Sequence, residues 1–138
     1  MRATTFLLAF TLSTTTLAQD IAGRWITVDD NTGKQRSVVE ITVTDGIAHG
    51  RIVQIFDKDK VGKTCEACTD DRKGRKVLGM EIIRNMVRKG SEWTGGTILD
   101  PDNGKVYTCK MWVENGKLKV RGYIAFFFRT QTWLPDGR

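Results

Sequence analysis

The chain reads KVYTCKMWVENGKLKVRGYIAFFFRTQTWL over residues 105–134, and this stretch decides the fold. Within Lys117–Ile124, apolar or small side chains alternate with basic or polar ones, which is the pattern of a half-buried β-strand. The turn Glu114-Asn115-Gly116 comes just before it, and asparagine and glycine readily adopt the positive φ that a tight hairpin turn needs. The stretch is therefore predicted to form antiparallel strands joined by short turns.

The same pattern of short alternating runs and polar turns extends back to residue 21. Turn clusters at Asp45-Gly46, 89–92 and 100–104 separate the runs. The predicted strands are Ile21–Val28, Arg36–Thr44, Ile47–Phe56, a turn followed by a strand within Val77–Val87, Trp93–Leu99, Lys105–Val113, Lys117–Ile124 and Phe127–Leu134. About eight strands in chain order, with no helix long enough for a crossover, predict an all-β, antiparallel up-and-down barrel. A barrel of this size is filled by side chains or holds one small ligand.

Residues 1–18 have the features of a secretory signal peptide. The basic Arg2 precedes the apolar run Phe6–Leu12, and Thr16-Leu17-Ala18 leads to a cleavage site before Gln19. The apolar run is shorter than the roughly 20 residues that a membrane-spanning helix needs. The sequence therefore predicts export to the periplasm or the medium, no membrane span, and a mature chain (residues 19–138) that forms a single domain.

The segment Asp57–Lys76 is the one long irregular stretch, and loops of this length are usually functional or tied down. It contains Cys65 and Cys68, for which three states are open. In an exported protein a disulfide is expected. A thioredoxin-like redox pair would need a βαβ setting that the sequence lacks, and a zinc site would have to recruit Cys109 and His49. We expect the disulfide, a buried inert Cys109, and no metal or cofactor.

Side chains for hydrolytic chemistry are scarce beyond the predicted signal peptide. That part of the chain has one histidine, His49, and two serines, Ser37 and Ser91, with no nucleophile-elbow motif. No glycine-rich phosphate loop leads from a strand into a helix. We therefore expect no enzymatic activity.

Charge and aromatic residues bear on the choice of partner. The net charge of +6 favours contact with anionic surfaces, but acidic and basic residues are mixed along the chain, as on a solvated surface. Aromatic and basic residues interleave near the C-terminus, a pattern that can bind nucleic acid, yet export makes that partner unexpected. The three rings of Phe126–Phe128 cannot all face inward on a strand. At least one is predicted to face the barrel mouth, a partner or a lipid surface.

Two sets of residues carry a resemblance to known families. Gly23-Arg24-Trp25 in the first strand and Arg129 in the last resemble the structural signature of lipocalins and other calycins. That resemblance implies that the arginine stacks over the tryptophan at one end of the barrel, where a guanidinium gains a cation–π contact.

A longer set of segments, in the same order over nearly the whole mature chain, resembles the secreted bacterial family called domain of unknown function 2147. These segments are residues 23–30, Cys65-x-x-Cys68, Gly95–Pro101, Asn103–Tyr107, Val120–Ile124 and Arg129–Trp133. The resemblance implies a lipocalin-like barrel outside the cytoplasm, with no established activity. Where the family often has glycine after its tyrosine-isoleucine pair, this chain has Ala125.

The sequence leads to one main hypothesis and one alternative. The main hypothesis is an exported, non-enzymatic barrel that binds a small apolar or amphipathic molecule. The alternative is an interaction module of the cell envelope that uses the 57–76 loop and the 126–128 edge on a protein partner. The sequence identifies neither the ligand nor the oligomeric state.

Overall fold

The computed structural model describes residues 9–12 and 20–138, and its main part consists of eight antiparallel strands in chain order. The strands are β1 (Gly23–Val28), β2 (Gln35–Thr44), β3 (Ile47–Ile55), β4 (Glu81–Lys89), β5 (Glu92–Leu99), β6 (Val106–Glu114), β7 (Lys117–Ile124) and β8 (Phe127–Pro135). A single 3-10 turn, Lys58–Lys60, interrupts the loop after β3. Apart from residues 9–12, the predicted signal peptide and its cleavage site lie outside the described residues.

Each strand pairs with the next, and β8 returns to pair with β1, so the sheet closes into a barrel. At this closing seam Trp25 lies opposite Pro135 and Ile26 lies opposite Leu134. Closure leaves no edge strand unpaired, which removes the usual site of aggregation in sheet proteins. The predicted closed barrel of eight strands is confirmed.

The connections divide the barrel into two different ends. The β2–β3, β4–β5 and β6–β7 turns are tight and lie together at one end, which we call the closed end. Asn115 and Gly116, in the last of these turns, have φ of 51° and 74°, as the sequence predicts. The longer loops after β1, β3 and β5 and the β7–β8 turn lie at the other end, which we call the mouth.

The buried side chains of strand β4 do not keep the two-residue alternation of a regular strand. Asn85 has a φ of 60°, and the pairing of β4 with β3 gains one residue between Ile83 and Met86. This β-bulge shifts the alternation, so Ile83 and Met86 are both fully buried although three positions separate them. Gly96 on β5 makes room for it, because a Cβ there would lie 2.6 Å from Met86 Sδ.

The long β3–β4 connection, residues 56–80, is fastened to the barrel rather than free. Cys65 and Cys68 form a disulfide, as predicted, and neither is exposed. Cys65 Sγ lies 3.5 Å from the carbonyl oxygen of Pro101, in the β5–β6 loop. Further along, Arg72 is buried and donates to the carbonyl of Glu81, the first residue of β4, at 2.9 Å. The loop is therefore held against the β5–β6 loop and against the start of β4.

The ion pair between Arg72 and Asp70 predicts a dependence of stability on pH. Hydrogen bonds from the Arg72 side chain lower the pKa of Asp70 from 3.8 to about 2. On acidification the unfolded chain takes up this proton first, so the stability that Asp70 contributes is complete above about pH 3.8 and is lost as pH falls towards 2. We expect Asp70→Asn to be less stable than the wild type at neutral pH, and the difference to shrink across this window. Urea unfolding at several pH values measures it; a constant difference would contradict the assignment.

Candidate functional site

A cavity of about 690 Å³ extends from the barrel interior to the mouth. This volume falls within the range of about 300–1,000 Å³ that is typical of small-molecule sites. The barrel is therefore not filled completely by its own side chains, which was one of the two outcomes that an eight-stranded barrel allows.

The inner part of the cavity is mostly apolar. Its floor includes Trp133, which is 2% exposed, and Val120 on the neighbouring strand β7. The remaining apolar side chains of the lining are Val28, Ile52, Ile55, Val77, Ile82, Ile98, Leu99 and Pro101. Such a surface stabilises an apolar group by removing it from water, by about 0.8 kcal/mol for each methylene.

A few polar groups lie among these apolar side chains. Gln131 lines the cavity, and its Oε1 accepts a hydrogen bond from Trp133 Nε1 at 2.9 Å. Across the β1–β2 pair, Thr27 Oγ1 and Ser37 Oγ lie 2.7 Å apart. The phenol of Tyr107 stands nearer the mouth, where Asn103 Nδ2 donates to its hydroxyl at 3.3 Å. An apolar wall with a few placed polar groups is the usual composition of a ligand pocket.

The rim of the cavity is densely charged but balanced. Five basic and five acidic residues line it: Lys34, Arg36, Lys60, Lys63 and Arg129, and Asp29, Asp30, Asp57, Asp100 and Asp102. Because the two signs cancel, the rim does not favour an anion over a cation by net charge. It offers polar and charged partners to a head group of either kind.

Ion pairs join the loops of the rim to one another. Asp102 in the β5–β6 loop accepts hydrogen bonds from Arg36 on β2 at 2.6 Å and from Lys63 in the β3–β4 loop at 2.9 Å. Burial acts to raise the pKa of Asp102, but these two bonds outweigh it and the pKa lies below its ordinary value. Asp102 thus joins the start of β2, the β3–β4 loop and the β5–β6 loop at the mouth.

Arg129 also forms an ion pair at the rim, and it does not stack on Trp25. Its guanidinium donates two hydrogen bonds to the carboxylate of Asp30, in the loop after β1. Trp25 on β1 pairs with Pro135, which comes six residues after Arg129 in β8. The Nε1 of Trp25 donates instead to the carbonyl of Ile21, at 2.8 Å. The predicted stacking of Arg129 on Trp25 is wrong, because the strand register places the arginine at the mouth and the tryptophan towards the closed end.

The other predicted structural residues lie where the sequence places them. Gly23 begins β1 with a φ of 128°, a backbone conformation that residues with a side chain rarely adopt. Trp25 is buried in the core. Cys109 is also buried, and burial raises the pKa of its thiol to about 12, so the reactive thiolate is scarce at neutral pH.

Residues that could carry catalysis or bind a metal do not come together. Ser37 lines the cavity, whereas His49 lies on the outer face of β3, where its Nδ1 is 3.6 Å from Glu81 Oε1. Within residues 9–12 and 20–138, no group of three histidine, cysteine or acidic side chains is arranged to hold a metal ion. With the cysteines joined in a disulfide, neither sulfur is available as a thiolate ligand for zinc. The pair lies in the loop between β3 and β4 and not in the βαβ setting of a thioredoxin-like redox pair.

The cavity residues were not identified as a site from the sequence, although part of the signal was present. Arg129, Gln131 and Trp133 alternate along β8 and all line the cavity, as does Val120 on β7. Strand alternation could have placed these four on the inner face. The loop residues of the rim carry no such periodic signal.

A closed eight-stranded up-and-down barrel, with an apolar cavity that opens at one end, defines the class of lipocalin-like barrels. Within this class the chain belongs to the family DUF2147, described as an uncharacterized protein conserved in bacteria, whose model matches residues 23–134. The resemblance found in the sequence is thereby confirmed.

One solved structure supports the same fold. It is described as "Protein HP1028 from the human pathogen Helicobacter pylori belongs to the lipocalin family", with a TM-score of 0.74 and 17% sequence identity. The similarity covers 86% of this chain and 84% of that one. No curated protein sequence matches this chain significantly. Among the described residues, no helix has the length and apolar character needed to cross a bilayer.

Proposed function

We propose that this protein binds a small apolar or amphipathic molecule in its cavity, as a carrier or receptor without catalytic activity. The observation that carries the proposal is the cavity of about 690 Å³, whose inner wall is apolar and whose rim is charged. An amphipathic molecule fits that gradient, with its apolar part against Val120 and Trp133 and its polar part among the side chains of the rim.

The proposal includes export to the periplasm or the medium. Three observations support it: the pattern of residues 1–18, membership of a bacterial family, and a disulfide, which is typical of oxidising compartments. N-terminal sequencing of the protein isolated from the periplasmic fraction tests it. A mature chain beginning at Gln19 is the expected result, and an unprocessed chain in the cytoplasm would contradict it.

Filling the floor of the cavity should shorten the site and weaken the binding of long ligands. Val120 is 3% exposed and lines the cavity, so Val120→Trp places an indole where the apolar end of a ligand would lie. With a homologous series of straight-chain alkyl alcohols as probes, the wild type should gain about fourfold in affinity for each added methylene until the chain reaches the floor. In the variant this gain should stop at a shorter chain, and the longest probes should bind about a hundredfold more weakly.

The matched control adds the same bulk outside the barrel. Val106 is 42% exposed at the start of β6, next to Tyr107, which lines the cavity. Val106→Trp should therefore keep the wild-type dependence on chain length. Isothermal titration calorimetry provides the measurement. If the wild type binds no member of the series, or if Val120→Trp and Val106→Trp behave alike, the cavity is not the binding site.

A further inference from the structure

The tip of the β7–β8 hairpin is an exposed apolar surface beside the mouth. Phe126, Phe127 and Phe128 are 98%, 79% and 60% exposed, and Ile124 at the end of β7 is 44% exposed. Soluble proteins rarely leave several large apolar side chains together in water unless a partner covers them. The ligand cavity does not account for these rings, because none of the three lines it.

The shape of the tip favours a fluid partner over a folded one. Ala125 has a φ of 50° and, with Phe126, forms the turn, so this end of the hairpin is narrow. Successive side chains on a strand point to opposite faces, and the rings of Phe127 and Phe128 therefore point apart. A protein partner would need a fitted pocket around such a wedge, whereas the interfacial region of a bilayer can surround rings that point in several directions.

The charge next to the tip identifies the kind of bilayer. Strands β7 and β8 contain no acidic residue, and the outer face of β7 presents Lys117, Lys119 and Arg121. The Arg121 guanidinium lies between two rings, 4.9 Å from the centre of Trp112 and 4.5 Å from that of Phe128. The basic face is thus continuous with the aromatic tip. Each basic side chain near an anionic membrane surface strengthens binding about fivefold.

We propose that the β7–β8 hairpin docks this barrel on an anionic lipid surface, with the rings of Phe126–Phe128 inserted among the lipids and the basic side chains of β7 nearest the tip, Arg121 and Lys119, towards the head groups. In this orientation the mouth of the cavity lies next to the bilayer. Docking does not depend on the proposed ligand binding, since the rings and the cavity are separate surfaces. The two proposals can therefore fail independently.

Co-sedimentation of the purified protein with lipid vesicles tests the docking. We expect binding to vesicles of phosphatidylethanolamine and phosphatidylglycerol, weaker binding to vesicles of phosphatidylcholine alone, and weaker binding to the anionic vesicles at high salt. Replacing two rings, Phe126→Ser with Phe127→Ser, should weaken binding about a hundredfold, because burying each ring is worth at least about tenfold. Arg121→Gln, next to the tip, should weaken binding about fivefold on anionic vesicles only.

The control removes an exposed apolar side chain from the other end of the barrel. Val87 is 51% exposed near the β4–β5 turn, and Val87→Ser should leave vesicle binding unchanged. The proposal is overturned if the wild type fails to bind anionic vesicles, or if the double variant binds as well as the wild type. It is also overturned if the wild type is a dimer that ignores vesicles and the double variant is a monomer by sedimentation velocity, since the rings would then join two copies of this chain.

Discussion

Replacing Gly104 by alanine is expected to lower the free energy of unfolding by about 3–4 kcal/mol. Gly104 lies in the β5–β6 loop with a φ of 72°, a conformation that costs an alanine about 1–2 kcal/mol. An added Cβ would also overlap the Ala67 carbonyl group and lie 2.8 Å from the amide nitrogen of Cys68. Overpacking of this kind costs about 1–3 kcal/mol.

The neighbouring disulfide makes this overlap hard to relieve. Ala67 lies between Cys65 and Cys68, so its backbone cannot move away without moving two buried cysteines that are cross-linked to each other. Gly104 is also held on its own side, because its amide donates to the carbonyl of Asp100 at 2.8 Å. The two loops approach so closely here that only a glycine fits.

Gly116 provides the matched control. Its φ of 74° is almost the same, but a Cβ there would meet nothing within 4 Å. Gly116→Ala should therefore cost only the conformational part, about 1–2 kcal/mol. Urea unfolding of both variants separates the two contributions. Equal losses would show that the contact with Ala67 does not restrain the loop.

Replacing Arg72 by methionine is the second large change, with an expected loss of about 3 kcal/mol. Arg72 is 4% exposed; its Nε and Nη2 donate to the carboxylate of Asp70, and Nη1 donates to the carbonyl of Glu81. Methionine keeps much of the apolar stem but leaves both acceptors without this partner. Breaking a buried pair in this way costs about 3–5 kcal/mol, and the lower end applies because water can reach part of Asp70.

Arg84 is the control, because it makes a similar pair at the surface. Its two terminal nitrogens donate to the carboxylate of Asp71 and its Nε donates to Glu81 Oε1, each at 2.9 Å. The Asp71 side chain is 67% exposed and the Glu81 side chain is 20% exposed, so water reaches both pairs. Exposed pairs contribute at most about 1 kcal/mol, so Arg84→Met should be much milder. Chemical denaturation of the two variants gives the comparison. If Arg84→Met were the more damaging, burial of Arg72 would not be what anchors the loop.

Part of the candidate site could be predicted from the sequence, and part could not. The alternating strands predicted the barrel. The same alternation could have placed Val120 and Trp133 on the inner face of their strands, although neither was identified as a site residue. The ion pairs of the rim were not predictable, since Arg36 lies on β2, Lys63 in the β3–β4 loop and Asp102 in the β5–β6 loop. Nothing local in the chain indicates that such distant residues meet.

The sequence by itself determined the order and direction of the strands, because alternation and turn residues act within a few positions of one another. It also led to the disulfide, since Cys65 and Cys68 are close along the chain. Only the tertiary structure decided the register at the closing seam, the size of the cavity and the position of Arg129. Those three depend on the tilt and stagger with which all eight strands close at once, and that geometry is a property of the whole barrel.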